Sequence, residues 1–164
     1  MARMGRRWIA CLLALAMLAG CTNAPRMPNP SDQEVTRWAG RLSVRVDGDP
    51  ANSFTAGFEL KGSAQSGELS LYAPFGATIA QLAWTPDDAR LRASGTESSF
   101  PSLSALVKHA TGTELPVSSI FSWLAGQNTN DSGWQADLGE LGRGRLVARR
   151  TTPLPSVELR LVLE

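Results

Sequence analysis

Apolar and polar residues alternate along much of the chain with a period of two, which is typical of strands that bury one face. The clearest run begins at Arg37, with an apolar or small set made of Trp38, Gly40, Leu42, Val44 and Val46. Similar alternation is found at residues 54–60, 69–73, 77–84, 89–93, 144–149 and 156–163. Because most connections between these segments are short, we predict that neighbouring strands are antiparallel.

The period becomes helical in the middle of the chain. One apolar set has the spacing i, i+3, i+4, i+7 and consists of Leu103, Leu106, Val107 and Ala110. A second set has the same spacing and consists of Val117, Ile120, Phe121 and Leu124. The pattern predicts two short amphipathic helices whose apolar faces must be covered. We therefore predict a fold that is mainly β with helices (α+β), in which a curved antiparallel sheet is covered by the helices on its concave side.

The N-terminal segment has the order of an export signal. Three arginines precede an apolar run at residues 8–18, which Ala19, Gly20 and Cys21 follow. The run is shorter than the roughly 20 residues that a transmembrane helix needs. Leu18-Ala19-Gly20-Cys21 resembles the bacterial lipoprotein signature, which implies removal of residues 1–20 and lipidation of Cys21. The alternative is an ordinary signal peptide that contains a cysteine.

The rest of the chain suits a single domain. Residues 21–30 contain three prolines and little to bury, so we expect a tether after Cys21. Residues 31–164 form the predicted domain, and Ser31 to Glu34 has the form of a capping box that would begin a short helix. Thr22 stands where lipoproteins retained in the inner membrane carry Asp, which points to the outer membrane.

Charge and cysteine content exclude several classes of function. Without residues 1–20 the chain has 13 basic and 15 acidic residues, and this balance disfavours binding to nucleic acid. Cys11 would leave with the signal and Cys21 would be lipidated, so no free thiol would remain. Disulfides and thiolate metal sites are therefore not expected.

The sequence contains no recognisable catalytic or cofactor motif. His109 is the only histidine, and no Gly-x-Ser-x-Gly element is present, although a triad assembled in space stays an alternative. Gly142-Arg143-Gly144-Arg145 is too short for a phosphate-binding loop. We expect neither an enzyme nor a bound cofactor or metal. Arg143, Arg145, Arg149 and Arg150 either face lipid headgroups or an acidic partner, or lie at a solvated strand end.

Pro74-Phe75-Gly76 places a large aromatic side chain at the tip of a predicted turn. Such a side chain can enter the acyl boundary of a bilayer, which contributes about 1.5 to 3 kcal/mol. Alternatively, Phe75 folds back onto its own sheet or is a single exposed apolar residue, which is common.

Four segments together resemble one protein family. Residues 38–44, 67–76, 110–117 and 123–126, with the lipoprotein signature before them, resemble the outer-membrane lipoprotein receptor family LolB over about residues 36–164. The resemblance implies an incomplete β-barrel closed by helices around an apolar cavity. The family has a loop with an exposed apolar residue, commonly Leu in Pro-Leu-Gly, that is tied to membrane insertion. The matching residue here is Phe75, which differs in identity but not in apolar character.

The resemblance also implies a function. A member of this family takes acylated lipoproteins from a soluble periplasmic carrier, LolA, and places them in the inner leaflet of the outer membrane. The expected partners are therefore the acyl chains of lipoproteins, LolA and outer-membrane lipids, and we expect a monomer. The alternative is a structural or interaction lipoprotein of similar architecture, whose core is filled and whose Phe75 contacts a protein.

Inward-facing apolar residues are the candidates for lining an acyl-chain cavity. Alternation directs most of them to one face of the sheet, and one comes from the second predicted helix. The predicted lining residues are Trp38, Leu42, Val44, Phe54, Phe58, Leu69, Leu71, Trp84 and Phe121. For the tryptophans, including Trp123 and Trp134, and for Phe121, ordinary core packing is the alternative.

Overall fold

The computed structural model describes residues 36–164. The predicted signal peptide at residues 1–20, the lipidation of Cys21, the tether at residues 21–30 and the helix start at Ser31 lie outside the described residues.

Nine strands and two α-helices make up the described part of the chain. The strands are β1 (Arg37–Val46), β2 (Phe54–Gly62), β3 (Gly67–Tyr72), β4 (Thr78–Trp84), β5 (Ala89–Ala93), β6 (Thr96–Phe100), β7 (Trp134–Asp137), β8 (Arg145–Arg150) and β9 (Val157–Leu163). The helices are α1 (Leu103–Thr111) and α2 (Val117–Leu124), with short 3₁₀ helices at Pro50–Asn52 and Leu141–Arg143.

The strands form one antiparallel sheet in the order β6-β5-β4-β3-β2-β1-β9-β8-β7. Strands β6 and β7 are the two edges, so the sheet does not close, and the helices between β6 and β7 in the chain pack on it. The predicted fold class, an open antiparallel β structure covered by helices, is confirmed. Consecutive strands are neighbours except β6 and β7, which lie at opposite edges of the sheet. Strand β1 also pairs with β9, so the first and last described strands are adjacent.

Two strands were not predicted from the sequence. Residues 96–99 are polar, so β6 shows no apolar alternation, and it is connected to β5 by a two-residue turn at Ser94 and Gly95 with φ of 52° and 76°. Strand β7 is four residues long and follows a polar loop. Short or polar edge strands carry little hydrophobic signal because neither face is fully buried.

The alternation in sequence determines which face of the sheet is buried. Val44 on β1, Leu146 on β8 and Leu159 on β9 are each about 1% exposed and belong to the core. On β1 the alternate residues point outward, and two of these, Arg41 and Arg45, are exposed. The core is thus formed between the concave face of the sheet and the apolar faces of α1 and α2.

Local signals define the ends of helix α1. The Ser102 hydroxyl accepts a hydrogen bond from the Ala105 backbone N–H at 3.2 Å, which caps the first turn. The helix ends at Gly112, whose φ of 68° is in the left-handed region. The Asn52 side chain packs where a Cβ on Gly112 would lie, so α1 ends against the β1–β2 connection. None of the helices in residues 36–164 has the length and apolar character to cross a bilayer.

Candidate functional site

An apolar cavity of about 500 Å³ lies between the concave face of the sheet and the two helices. Six of the nine predicted lining residues contact it, and all six are on strands β1 to β3: Leu42, Val44, Phe54, Phe58, Leu69 and Leu71. The space between helices and sheet is therefore not filled by side chains, contrary to the alternative of a filled core. Alternation brings these six residues to one wall because it fixes which face of a strand points inward.

The helices supply a second wall of the cavity, and none of its residues was among the predicted lining residues. Helix α1 and the loop after it contribute Val107, Ala110 and Leu115, and α2 contributes Val117 and Ile120. The helical spacing of Val107 and Ala110, and of Val117 and Ile120, predicted two apolar faces, whereas Leu115 lies in the loop outside both sets. The spacing could not show that these faces stop short of the sheet and leave space.

The other three residues that we predicted to line the cavity, Trp38, Trp84 and Phe121, do not contact it. The Phe121 ring packs edge to face against both tryptophans, with centroid distances of 5.6 Å to Trp38 and 6.1 Å to Trp84. The Trp84 indole N–H donates to the Ser63 carbonyl at 3.2 Å. Their size explains the difference, because large aromatic rings fill the space that smaller side chains leave open.

These three rings define the closed end of the sheet. Trp38 near the start of β1 pairs with Leu60, and Trp84 at the end of β4 pairs with Gly67, so in this antiparallel sheet both tryptophans lie at the same end. A Cβ on Gly67 would come within 2.7 Å of the Trp84 ring, so the missing side chain makes room for the indole. Trp123 and Trp134 are also buried and do not contact the cavity.

The opposite end of the sheet, which we call the open end, carries the exposed part of the cavity lining. Ile79 and Ser94 lie there at strand ends, and His109 and Ala110 of α1 complete the exposed rim. Leu71 pairs with Ala80 while Tyr72 pairs with Thr78, so Ile79 is the extra residue of a β-bulge. By alternation Ile79 would point outward, yet it lines the cavity and is 48% exposed.

The turn between β3 and β4 projects from this open end. The Gly76 N–H donates to the Ala73 carbonyl at 2.9 Å, and the Ala73 N–H donates to the Ala77 carbonyl at 2.8 Å. Gly76 has a φ of 83°, a conformation that favours glycine. Phe75 is 100% exposed, so it does not fold back onto its own sheet. Pro74 and Gly76 thus hold an aromatic side chain in water.

A buried arginine fixes the loop between the helices. Arg150 on β8 is 5% exposed, and its guanidinium donates to the Thr113 hydroxyl at 3.2 Å and to the Glu114 carbonyl at 3.4 Å. It also lies 5.8 Å from the centre of the Trp134 ring. Thr113 and Glu114 immediately precede Leu115, so Arg150 positions the loop part of the cavity wall. Arg150 is therefore not part of a solvated strand end, unlike Arg143, Arg145 and Arg149, which are exposed.

The chemistry of the cavity suits hydrocarbon. Its few polar lining residues are Thr55, Ser94, His109 and Thr111, and no carboxylate contacts it. The His109 ring packs on Phe100 with a centroid distance of 5.0 Å at the rim. Within residues 36–164 no group of three His, Cys, Asp or Glu side chains could hold a metal ion. Because the walls present few hydrogen-bonding groups, an apolar guest would leave few polar groups unpaired and would gain contact with apolar side chains.

Comparison with known proteins identifies the family of this chain. Residues 36–151 match the family model described as outer membrane lipoprotein LolB. The chain is 29% identical to the outer-membrane lipoprotein LolB of Bordetella petrii, over 96% of this chain and 92% of that protein. It is 27% identical to the protein of that name from Shewanella baltica, over 88% and 69% of the two chains. It is 33% identical to the one from Bordetella parapertussis, over 74% and 64%. This chain belongs to the LolB family of outer-membrane lipoproteins.

Proposed function

We propose that this protein accepts acylated lipoproteins from the periplasmic carrier LolA and inserts them into the inner leaflet of the outer membrane. The observation that carries the proposal is the unfilled apolar cavity, which is open at one end of the sheet beside an exposed aromatic turn. The function is non-catalytic, because moving an acyl chain between apolar surfaces makes and breaks no covalent bond.

The energetics of acyl chains explain why such a receptor is needed. Each buried methylene contributes about 0.8 kcal/mol, so releasing three chains of roughly fourteen methylenes into water would cost tens of kcal/mol. Transfer must therefore pass from one apolar surface to the next. A receptor with an apolar cavity needs only to bind the chains more tightly than the carrier and less tightly than the final bilayer.

The size of the cavity bears on how the client is held. A volume of about 500 Å³ falls within the range of pockets that enclose one drug-sized ligand. One acyl chain has a comparable number of heavy atoms, whereas three chains do not fit together. We propose that one chain enters the cavity as it stands, and that further chains require α1 and α2 to separate from the sheet.

Phe75 is proposed to direct delivery to the membrane. A Phe side chain that enters the acyl boundary contributes about 1.5 to 3 kcal/mol. That energy is too small to hold a protein on a membrane, but it is enough to orient one that is already anchored near its N-terminus. The open end of the cavity would then face the bilayer, because the turn and the exposed rim lie at the same end of the sheet.

The test is reconstituted delivery by Phe75→Glu, with Phe75→Leu as the matched control. Phe75→Glu should keep its unfolding free energy within about 0.5 kcal/mol, since the side chain is fully exposed. It should accept client from the carrier and fail to release it into vesicles, whereas Phe75→Leu should deliver normally. Normal delivery by folded Phe75→Glu would contradict the role proposed for the turn.

A second assay separates transfer from the structural alternative. A receptor with this cavity should bind a fluorescent apolar probe and release it when acylated client is added. A structural lipoprotein should do neither, and a folded chain that does not bind the probe would contradict the proposal.

A further inference from the structure

The convex face of the sheet carries a cluster of arginines that no feature of the cavity requires. It lies on the adjacent strands β1, β9 and β8, whose outward residues form three cross-strand rows. The rows are Arg41, Val162 and Arg145, then Ser43, Arg160 and Val147, then Arg45, Glu158 and Arg149. We call this surface the arginine face. It measures about 10 Å across the strands and about 13 Å along them.

The arginine face concentrates positive charge on a molecule that is close to neutral. Residues 36–164 contain 12 basic and 13 acidic residues, yet this face has five arginines and a single acid, Glu158. Arg149 and Arg160 both pair with that acid, at 2.7 Å and 2.6 Å. The hydrogen bond from Arg160 lowers the pKa of the Glu158 carboxyl, followed by that from Arg149, while burial opposes the shift.

The other three arginines have no such partner. Arg41, Arg45 and Arg145 are exposed and form no ion pair with any residue in the described range. By contrast, Arg90 and Arg92 on β5 pair with Asp88 and Glu97. Three unpaired guanidinium groups on one face of a sheet are suited to bind phosphate, because each guanidinium presents a planar fork of N–H donors.

A groove joins the arginine face to the turn that carries Phe75. It has a volume of about 430 Å³, and Arg41 lies at one side of it. Pro74 and Gly76 lie at the other side, with the outward residues Gly57 and Tyr72 of β2 and β3 between them. The turn and the arginines therefore belong to one continuous surface. Val162, which is 48% exposed, adds an apolar side chain among the arginines.

A polar recess adjoins the third row of the arginine face, which contains Arg45, Glu158 and Arg149. Its volume is about 230 Å³, and Arg45 and Arg149 line it together with Thr151 and Ser156. Asp47 and Glu158 also line it. Two guanidinium groups and two hydroxyl-bearing side chains offer a phosphate several donors at the edge of the face, and the two carboxylates oppose an anion there.

We propose that the arginine face binds the phosphate groups of anionic phospholipid headgroups while Phe75 enters the acyl layer below them. A bilayer presents anionic phosphate and hydrocarbon in adjacent layers, so one partner explains both the arginines and the exposed aromatic residue. An acidic protein surface would satisfy the arginines but would leave Phe75 without an apolar counterpart. The inference shares with the proposed function only the premise that the protein works against a membrane.

The test measures how fast arginines react with phenylglyoxal in the full lipoprotein reconstituted into vesicles. Vesicles of phosphatidylcholine are compared with vesicles that also contain phosphatidylglycerol, and modification is mapped by mass spectrometry. Phosphatidylglycerol should slow the modification of Arg45 and Arg145 by about fivefold, and high salt should cancel the effect. Arg90 and Arg92 are the internal controls and should react equally in both vesicles.

Two variants give opposite predictions for the same measurement. Glu158→Gln removes the one acid of the face and should increase the protection of Arg45 by phosphatidylglycerol. Arg45→Gln combined with Arg145→Gln should reduce the protection of Arg41, whereas Arg90→Gln combined with Arg92→Gln should not.

The outcomes separate this inference from the proposed function. Equal reaction rates in the two kinds of vesicle would overturn the inference even if delivery of client is normal. Protection that depends on added carrier protein and not on lipid composition would also overturn it and would assign the face to a protein partner. Protection of the arginines by phosphatidylglycerol in a protein that cannot deliver client would support the inference and contradict the proposed function.

Discussion

The two ends of the sheet are built from the same alternating pattern, and they differ in what occupies the concave side. At the closed end, Trp38, Trp84 and Phe121 pack edge to face and leave no cavity. Beyond them, mainly leucine, valine and alanine side chains, with Phe54 and Phe58, line a space of about 500 Å³ that is exposed at the open end. Alternation determines which face of the sheet a residue occupies, whereas side-chain size and helix position determine whether the space beside that face is filled or left as a cavity.

The difference assigns stability to one end and binding to the other. Helix α2 connects them, because Val117 and Ile120 in its first turn line the cavity while Phe121 contacts both tryptophans. The aromatic cluster therefore anchors α2 on the sheet, while the first turn of the same helix borders the cavity.

The largest expected effect comes from truncating the closed end. Trp84→Ala should lower the unfolding free energy by about 3 to 5 kcal/mol, because it removes a buried ring and leaves a void. Phe54→Ala at the open end should cost only about 1 to 2 kcal/mol, since Phe54 is half-buried and already borders a space. Denaturant unfolding of both variants measures the difference. Equal losses would contradict the division between the two ends.

A second matched pair compares glycines in the turns at the two ends. In Gly62→Ala the new Cβ would lie 2.4 Å from the Ser66 carbonyl oxygen, so strain and a backbone clash should together cost about 2 to 3 kcal/mol. In Gly76→Ala the Cβ meets nothing within 4 Å, so only the positive φ costs energy, about 1 to 2 kcal/mol. Thermal unfolding compares them, and a larger loss for Gly76→Ala would show that the turn with Phe75 is packed more tightly than described.

The smallest effect on stability and the clearest one on binding should come from filling the cavity. Ala80→Leu places a larger side chain in the lining and should weaken binding of an apolar probe by about tenfold, with little change in the melting temperature. Ala83→Leu on the outward face of the same strand is the control and should bind normally. If both variants bind the probe as wild type does, the probe site is not this cavity.

The sequence predicted the strands with apolar alternation and both helices, and six of the nine residues proposed for the cavity wall contact the apolar space. Leu42 and Phe58 could be assigned because a strand residue has only two faces to choose between. Trp38, Trp84 and Phe121 could not be separated from them, because packing between distant residues decides whether a ring lines a space or fills it. The position of Ile79 depends on a bulge, which arises only when two strands pair.

The arginine face illustrates the same limit. Arg41 and Arg45 were visible as the polar residues of one strand, and Arg145 and Arg149 as a cluster near the C-terminus. Their meeting on one surface depends on β9, which pairs with both β1 and β8. Sequence alone gives no register between strands more than 100 residues apart, so the cluster could be found only in the structure.

The most direct test of the account asks where an acyl chain lies during transfer. A client lipoprotein whose acyl chains carry a diazirine is loaded from the carrier onto the full-length receptor, illuminated, and the crosslinked residues are identified by mass spectrometry. If the acyl chain lies in the cavity, crosslinks are expected to residues that line it, such as Leu42, Phe58 and Ile120. Crosslinks confined to the convex face or to the Phe75 turn, with none in the cavity, would contradict the account.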